Sequence, residues 1–200
     1  METSAPYLAL PDRLVGDRIV VRPFQVGDGQ ALFEAIEESR DHLLPWLPWG
    51  AAETSPAISE EKARQMRQTW DSREDLPLGI WDLHESRLLG GTGLHRFDLR
   101  LGSFEIGYWI RRSERGHGYV TEAVRLLADL VFGPLNGNRV MIRCATMNHR
   151  SSAIPKKLGF VFEGVMRNTS MSADGSLQDL EIYSLIPADY ARLRPTWQSS

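Results

Sequence analysis

The order of elements in this 200-residue chain predicts a mixed α/β (α+β) fold, one sheet carrying helices on its faces. Two observations lead there. Leu78 to Leu83, Leu88 to His95 and Phe104 to Ile110 are extended segments separated only by short polar breaks, which suits an antiparallel meander. From Gly118 to Phe132 the apolar residues Val120, Ala123, Val124, Leu127 and Val131 then recur on one helical face, before a further strand at Arg139 to Ala145. Residues 104 to 145 therefore describe a right-handed parallel crossover.

The remaining elements follow in order. Residues 1–16 hold two prolines and little periodicity and read as an N-terminal arm. Arg18 to Arg22 is β-branched and ends at Pro23, a first strand. Gln30 to Ser39 has helical spacing, with Asp28 as its expected N-cap. Leu43 to Trp49 carries two prolines, which lack the amide hydrogen a regular element needs. Its Trp46 and Trp49 belong either to a loop packed on the core or to one that walls a ligand groove. Glu60 to Ser72 is an amphipathic helix with Ser59 as a candidate cap. A short helix near Ser151 to Leu158, a strand at Phe160 to Val165, the Asp174-Gly175 turn and a closing strand at Leu180 to Ile186 complete the domain. The folded domain is expected over residues 17–190, with 191–200 as a tail.

Composition removes several function classes. Lysine and arginine number 23 against 26 acidic residues, a formal net charge of −3, so no overall positive field serves nucleic acid. No apolar run approaches the ~20 residues of a membrane-spanning helix. The N-terminus lacks the basic start and apolar stretch of a signal peptide, so a cytoplasmic protein is expected. Cys144 stands alone, and His42, His84, His95, His117 and His149 show no metal-ligand spacing; no metal site is expected.

The informative stretch is Arg115-Gly116-His117-Gly118-Tyr119-Val120-Thr121, between a strand and a helix. Two glycines around one residue permit positive φ and close backbone approach. Free amides at the start of the next helix favour an anion, and the Arg115 fork suits phosphate oxygens. This is a pyrophosphate cradle or a tight turn. It is neither a P-loop nor a dinucleotide fingerprint, since neither spacing is present.

A second cluster, Asn148-x-x-Ser151 followed by Leu158-Gly159-Phe160 and Glu163-Gly164, stands after the next strand. With Phe104 to Ile110, Arg115 to Ala123, and the Asp174-Gly175 turn before Asp179 and Tyr183, the chain over roughly residues 17 to 190 resembles the GCN5-related N-acetyltransferases (GNAT), and within them the RimJ/RimL-like ribosomal-protein N-acetyltransferase branch. The Leu-Pro-Trp-Leu-Pro-Trp segment is similar to that branch's substrate-side loop, with Trp46 and Trp49 as substrate contacts.

The resemblance implies the GNAT fold, a mostly antiparallel mixed sheet whose fourth and fifth strands splay. It implies acetyl-CoA as donor, a primary amine as acceptor (a protein N-terminus or a small molecule), direct attack in a ternary complex, and self-association as a dimer. By the same resemblance Trp109, Ile110 and Arg111 pair with the pantetheine arm, and Gly116 to Thr121 hold the pyrophosphate. Asn148 orients a pantetheine amide, and Lys156, with Lys157, meets a nucleotide phosphate or faces water.

The chemistry asks for three things. An attacking amine must be neutral; the resemblance implies Glu105, at a strand position where the family often holds a carboxylate, as the base, directly or through water, with an ordinary strand carboxylate as the alternative. A tetrahedral intermediate needs oxyanion donors, which amides near Ile110 could supply. The departing thiolate benefits from a proton, and in many relatives a tyrosine seven positions after the Asn provides it. Here that position is Pro155; the resemblance to the RimL-like branch implies instead the serine three positions after the Asn, Ser151, as the donor, with helix capping as its alternative role. Pro155 also predicts a bent or late-starting helix, and Val120, where the family usually has Gly or Ala, should point away from the phosphates or narrow the site. Two other readings stay open: a module that binds an acyl-CoA without turning it over, and transfer from another donor such as succinyl-CoA, read by Arg111 or Arg112.

Overall fold

The computed structural model describes residues 10–47, 49, 52 and 54–197. The strands are β1 (Leu14–Val15), β2 (Ile19–Pro23), β3 (Leu76–Asp82), β4 (Leu88–Asp98), β5 (Ser103–Ile110), β6 (Arg139–Ala145), β7 (Val161–Met171) and β8 (Leu177–Leu185). The helices are α1 (Gly29–Leu43), α2 (Pro56–Ser72), α3 (Tyr119–Phe132), α4 (His149–Leu158) and α5 (Pro187–Trp197). All eight strands form one sheet in the order β1-β2-β3-β4-β5-β6-β8-β7. Each neighbouring pair is antiparallel except β5 and β6, which the α3 crossover makes parallel.

The core lies on both faces of the sheet because the strand residues alternate. Ile19, Val21, Ile80, Phe104, Ile106, Val140 and Ile142 pack with the α3 face of Ala123, Val124, Leu127 and Val131. Val20, Trp81 and Leu88 pack with Leu32, Ala35 and Ile36 of α1 and Ala63 of α2. Val120 is buried in the first cluster, so its branched side chain is spent on the core.

Several ends differ from expectation, each for a physical reason. Asp28 makes no cap bond to α1. Its carboxylate accepts instead from Arg22 Nη1 and Nη2 at 2.7 and 3.1 Å and from the Gln25 amide at 2.8 Å. Glu60 of α2 takes over the amides of Gly27 and Gly29 at 2.8 and 2.9 Å. α2 starts earlier, capped by Ser55 with Pro56 in its first turn, while Ser59 is fully buried.

Residues 191–197, expected as a tail, complete α5. Its amphipathic signal is broken by Pro195, but Tyr190, Leu193 and Trp197 reach the α3–α4 side of the core, and Trp197 Nε1 donates to the Leu158 carbonyl at 3.3 Å. Residues 198–200 and 1–9 lie outside the described residues; of the expected N-terminal arm, Leu14 and Val15 add a short edge strand to β2.

α4 begins at His149 and continues unbroken through Pro155, so the late start expected from that proline does not occur. Proline removes the amide that would bond to the Ser151 carbonyl one turn back. Tyr108 Oη donates to that carbonyl at 2.8 Å in its place.

Candidate active site

β5 pairs with β6 only from Ser103 to Glu105, opposite Arg139 to Met141, after which the two strands part. Alternation splits the freed half of β5. Tyr108 and Ile110 pack with the α3-side core, whereas Trp109 packs with the α1–α2 cluster. The ladder also divides the backbone groups. The Arg111 amide bonds to the Leu89 carbonyl at 2.7 Å, and Gly90 stands opposite Ile110. In an antiparallel ladder bonded and non-bonded pairs alternate, so Ile110 and Tyr108 turn their N–H and C=O toward the gap. Trp109 and Arg111 spend theirs on β4. Of the three residues expected at the pantetheine edge, Ile110 alone turns its backbone groups to the gap, and Tyr108 does so beside it. His42 Nε2 sits 3.1 Å from the Ile110 carbonyl, so Nε2 carries the proton; burial lowers this imidazole's pKa and keeps it neutral.

The cleft so opened measures about 1700 Å³ and ends at the glycine turn. Gly116 and Gly118 both hold φ of +83°, and a Cβ built on Gly116 would meet nothing within 4 Å. α3 starts at Tyr119 without a side-chain cap, which leaves its first amides unpaired beside the turn. Arg18 braces the turn from behind, donating from Nη1 to the His117 carbonyl at 2.7 Å and from Nε to Glu122 at 3.0 Å. Arg115, Gly116, Gly118, Tyr119, Val120 and Thr121 line the cleft. His117 does not; its ring stacks on Tyr119 at 5.7 Å.

α4 brings Ser151 and Asn148 to the opposite wall. Asn148 is the cap, its Oδ1 accepting from the Ser151 amide at 3.1 Å, so the Ser151 hydroxyl is released from that duty. Ser151 Oγ lies 3.3 Å from Tyr108 Oη. Cys144 lines the cleft beside Ser151; burial, then the Glu181 charge, push its thiol up to about 11, which keeps it protonated and disfavours a thiolate nucleophile.

Glu105, His95 and the tryptophans also line the cleft. Glu105 is buried, with Oε1 accepting from Arg96 Nη1 at 2.8 Å. Its Oε2 forms an ion pair with Arg143 Nη2 at 2.9 Å but receives no hydrogen bond. Trp46, Trp49 and Trp109 line the cleft, and Trp49 meets Trp109 edge to face at 6.0 Å. The Trp46 and Trp49 loop therefore walls the groove. Gly91 permits this: a Cβ there would fall 2.2 Å from Trp109 Nε1.

The Arg111 guanidinium is buried against Glu38, Nε to Oε2 at 2.5 Å, and does not line the cleft. Lys156 Nζ lies 3.3 Å from Ser152 Oγ and over the Tyr183 ring, whereas Lys157 lines the cleft. Sequence reasoning also missed a pair, His95 with Asp75, Nδ1 to Oδ1 at 2.8 Å. The signal lay in the meander, since the β3–β4 register pairs Leu76 with Leu94 and so sets their neighbours Asp75 and His95 side by side. No group of three or more metal-ligating side chains occurs among the described residues.

Residues 18–161 match the family described as "Acetyltransferase (GNAT) domain". The chain belongs to that family and is an N-acetyltransferase of the GNAT type. Among curated relatives, it is 30% identical over 177 residues to YdaF of Bacillus subtilis (strain 168), covering 88% of this chain and 95% of that protein, whose name assigns it ribosomal N-acetyltransferase activity provisionally. Among solved structures, the microcin C7 self-immunity acetyltransferase MccE in complex with acetyl-CoA and AMP superposes with a TM-score of 0.78 at 23% identity, covering 86% of this chain and 93% of that one. The ribosomal α-N-protein acetyltransferase RimL, in complex with coenzyme A that forms a disulfide with a cysteine, superposes with a TM-score of 0.79 at 19% identity, covering 86% and 96%. Both show the same fold.

Proposed function

We propose that this enzyme transfers the acetyl group of acetyl-CoA to a protein N-terminal α-amine, by direct attack in a ternary complex. Ser151 serves as proton donor on the leaving-group side, and Glu105 receives the amine's proton, directly or through water. One observation carries the reading: the Ile110 amide (turned away from β4), the Ser151 hydroxyl (which does not cap α4) and the buried Glu105 line one cleft that reaches an open glycine turn.

When bound, acetyl-CoA supplies an activated acetyl thioester. The residues present fit it. The open space over Gly116 and the unpaired amides of α3, with Arg115, suit a diphosphate. Tyr108 offers its backbone N–H and C=O to the pantetheine amides, and Asn148 keeps its Nδ2 for the same arm once Oδ1 caps α4. The Ile110 amide is placed to donate to a developing oxyanion.

An α-amine is the acceptor that asks least of the base. Its reference pKa of about 8 leaves roughly a tenth neutral at pH 7, against well under a thousandth for lysine at about 10.4. The name of RimL, an α-N-protein acetyltransferase, supports the same choice, and the name of YdaF supports a ribosomal acceptor. For the proton itself a second reading has its own observation: Glu105 shares its oxygens with Arg96 and Arg143, while His95, backed by Asp75, lines the same cleft.

The test is mass spectrometry of peptides that present only an N-terminal α-amine or only a lysine amine, incubated with acetyl-CoA or succinyl-CoA. Acetylation of the α-amine from acetyl-CoA is expected. Product on lysine alone, or from succinyl-CoA alone, overturns the proposal. A cytoplasmic dimer belongs to the same proposal, and sedimentation of the purified protein checks the stoichiometry.

A further inference from the structure

We propose that Tyr108 is the positioning residue for the Ser151 hydroxyl, recruited from β5 because Pro155 leaves the Ser151 carbonyl without its helical partner. The inference rests on the reading of Ser151 as proton donor. A phenol has one hydrogen. The shorter contact, Tyr108 Oη to the Ser151 carbonyl at 2.8 Å, takes it. Toward Ser151 Oγ, 3.3 Å away, Tyr108 can then only present a lone pair. One hydroxyl thus grips both the carbonyl and the side chain of the same residue, while Asn148 Oδ1 holds its amide at 3.1 Å. Three contacts fix Ser151 on the cleft wall.

The grip does not spend the serine's proton. The O–H bond turns about Cβ–Oγ without moving either heavy atom, so the hydrogen resting on Tyr108 can swing to an acceptor in the cleft, releasing that one contact while the bonds to the carbonyl and the amide still hold the residue. Burial raises the Tyr108 pKa, so the phenol keeps its hydrogen on the carbonyl across the working range. The cause is legible in the chain. In an ordinary helix the residue 155 amide would satisfy the Ser151 carbonyl, and the tyrosine would have nothing to hold; Pro155 removes that amide. Here a hydroxyl arrives beside the serine from the neighbouring strand.

The test uses Tyr108→Phe, Ser151→Ala, the double variant, and Tyr108→Phe with Pro155→Ala, assayed for release of coenzyme A thiol with the peptide that wild type acetylates fastest. Acetyl-CoA affinity is read by calorimetry and Tm by calorimetric scan. Tyr108→Phe is expected to lower kcat about 10-fold with acetyl-CoA affinity within about 2-fold, and Ser151→Ala to lower kcat about 100-fold. The double variant should match Ser151→Ala alone, because Tyr108 acts through that hydroxyl. Pro155→Ala on the Tyr108→Phe background restores an amide to the orphan carbonyl; Tm should recover while kcat stays low. Wild-type kcat in Tyr108→Phe, multiplying losses in the double variant, or recovery of kcat along with Tm each overturn the positioning role while leaving Ser151 as donor. Undiminished turnover by Ser151→Ala overturns the donor reading itself, and this inference with it.

Discussion

Glu105 and His95 are the two side chains proposed for the amine's proton, and their surroundings differ in kind. Glu105 is enclosed, with Oε2 free of hydrogen bonds but 2.9 Å from a guanidinium. His95 is half-buried and aligned by Asp75. Glu105→Gln is isosteric and leaves Arg96 and Arg143 without their counter-charge. If Glu105 takes the proton, the variant loses about 100-fold in kcat at neutral pH and recovers as rising pH deprotonates the amine unaided. His95→Gln should then stay within about 3-fold of wild type. The reverse pattern in paired pH–rate profiles assigns the step to His95.

At the scale of elements, the proposed role of the loop from β5 into α3 is binding alone. Gly116 needs positive φ but has no protein neighbour to hit. Alanine there costs the fold only about 1 kcal/mol in backbone strain, while its methyl group stands where the diphosphate would lie. Gly116→Ala is expected to raise KM for acetyl-CoA about 10-fold with kcat nearly unchanged, in steady-state kinetics with the amine saturating. An unchanged KM would show that the diphosphate lies elsewhere. The neighbouring 3-10 turn, Arg112 to Glu114, is tied to α1 by Glu38, which accepts from Arg111 and from the Ser113 amide at 2.8 Å.

That tie gives the whole molecule a pH signature. Burial opposes ionisation of Glu38, but hydrogen bonds from Arg111 and Ser113 outweigh it and hold the carboxyl at about 2. A pKa depressed below the unfolded value near 4.5 contributes stability that is fully present above that pH and lost as pH falls toward about 2. Melting temperatures measured from pH 6 to pH 2.5 should fall more steeply for wild type than for Glu38→Gln. The C-terminal helix is a second global element. Trp197 is 8% exposed, packs edge to face on Tyr190 and bonds to the end of α4. Trp197→Ala should destabilise by roughly 3 kcal/mol, read from urea midpoints, and a cost below about 1 kcal/mol would show α5 to be a dispensable tail.

By itself the sequence determined what local rules encode. The strands and the α3 crossover follow from apolar period, the glycine turn from its need for positive φ, and the unpartnered α3 amides from their place at a helix start. Only the tertiary structure decided what depends on partners far apart in the chain. Glu60 caps α1 across 31 residues, α5 is held by surfaces of α3 and α4, and Asp75 reaches His95 through strand register. The register also chose Tyr108 and Ile110 over Trp109 and Arg111, because a shift of one residue turns each backbone group to the opposite edge. Pro155 shows both halves at once: its lack of an amide is written in the chain, but the hydroxyl that answers it comes from a strand 43 residues before Ser151, brought there by packing alone.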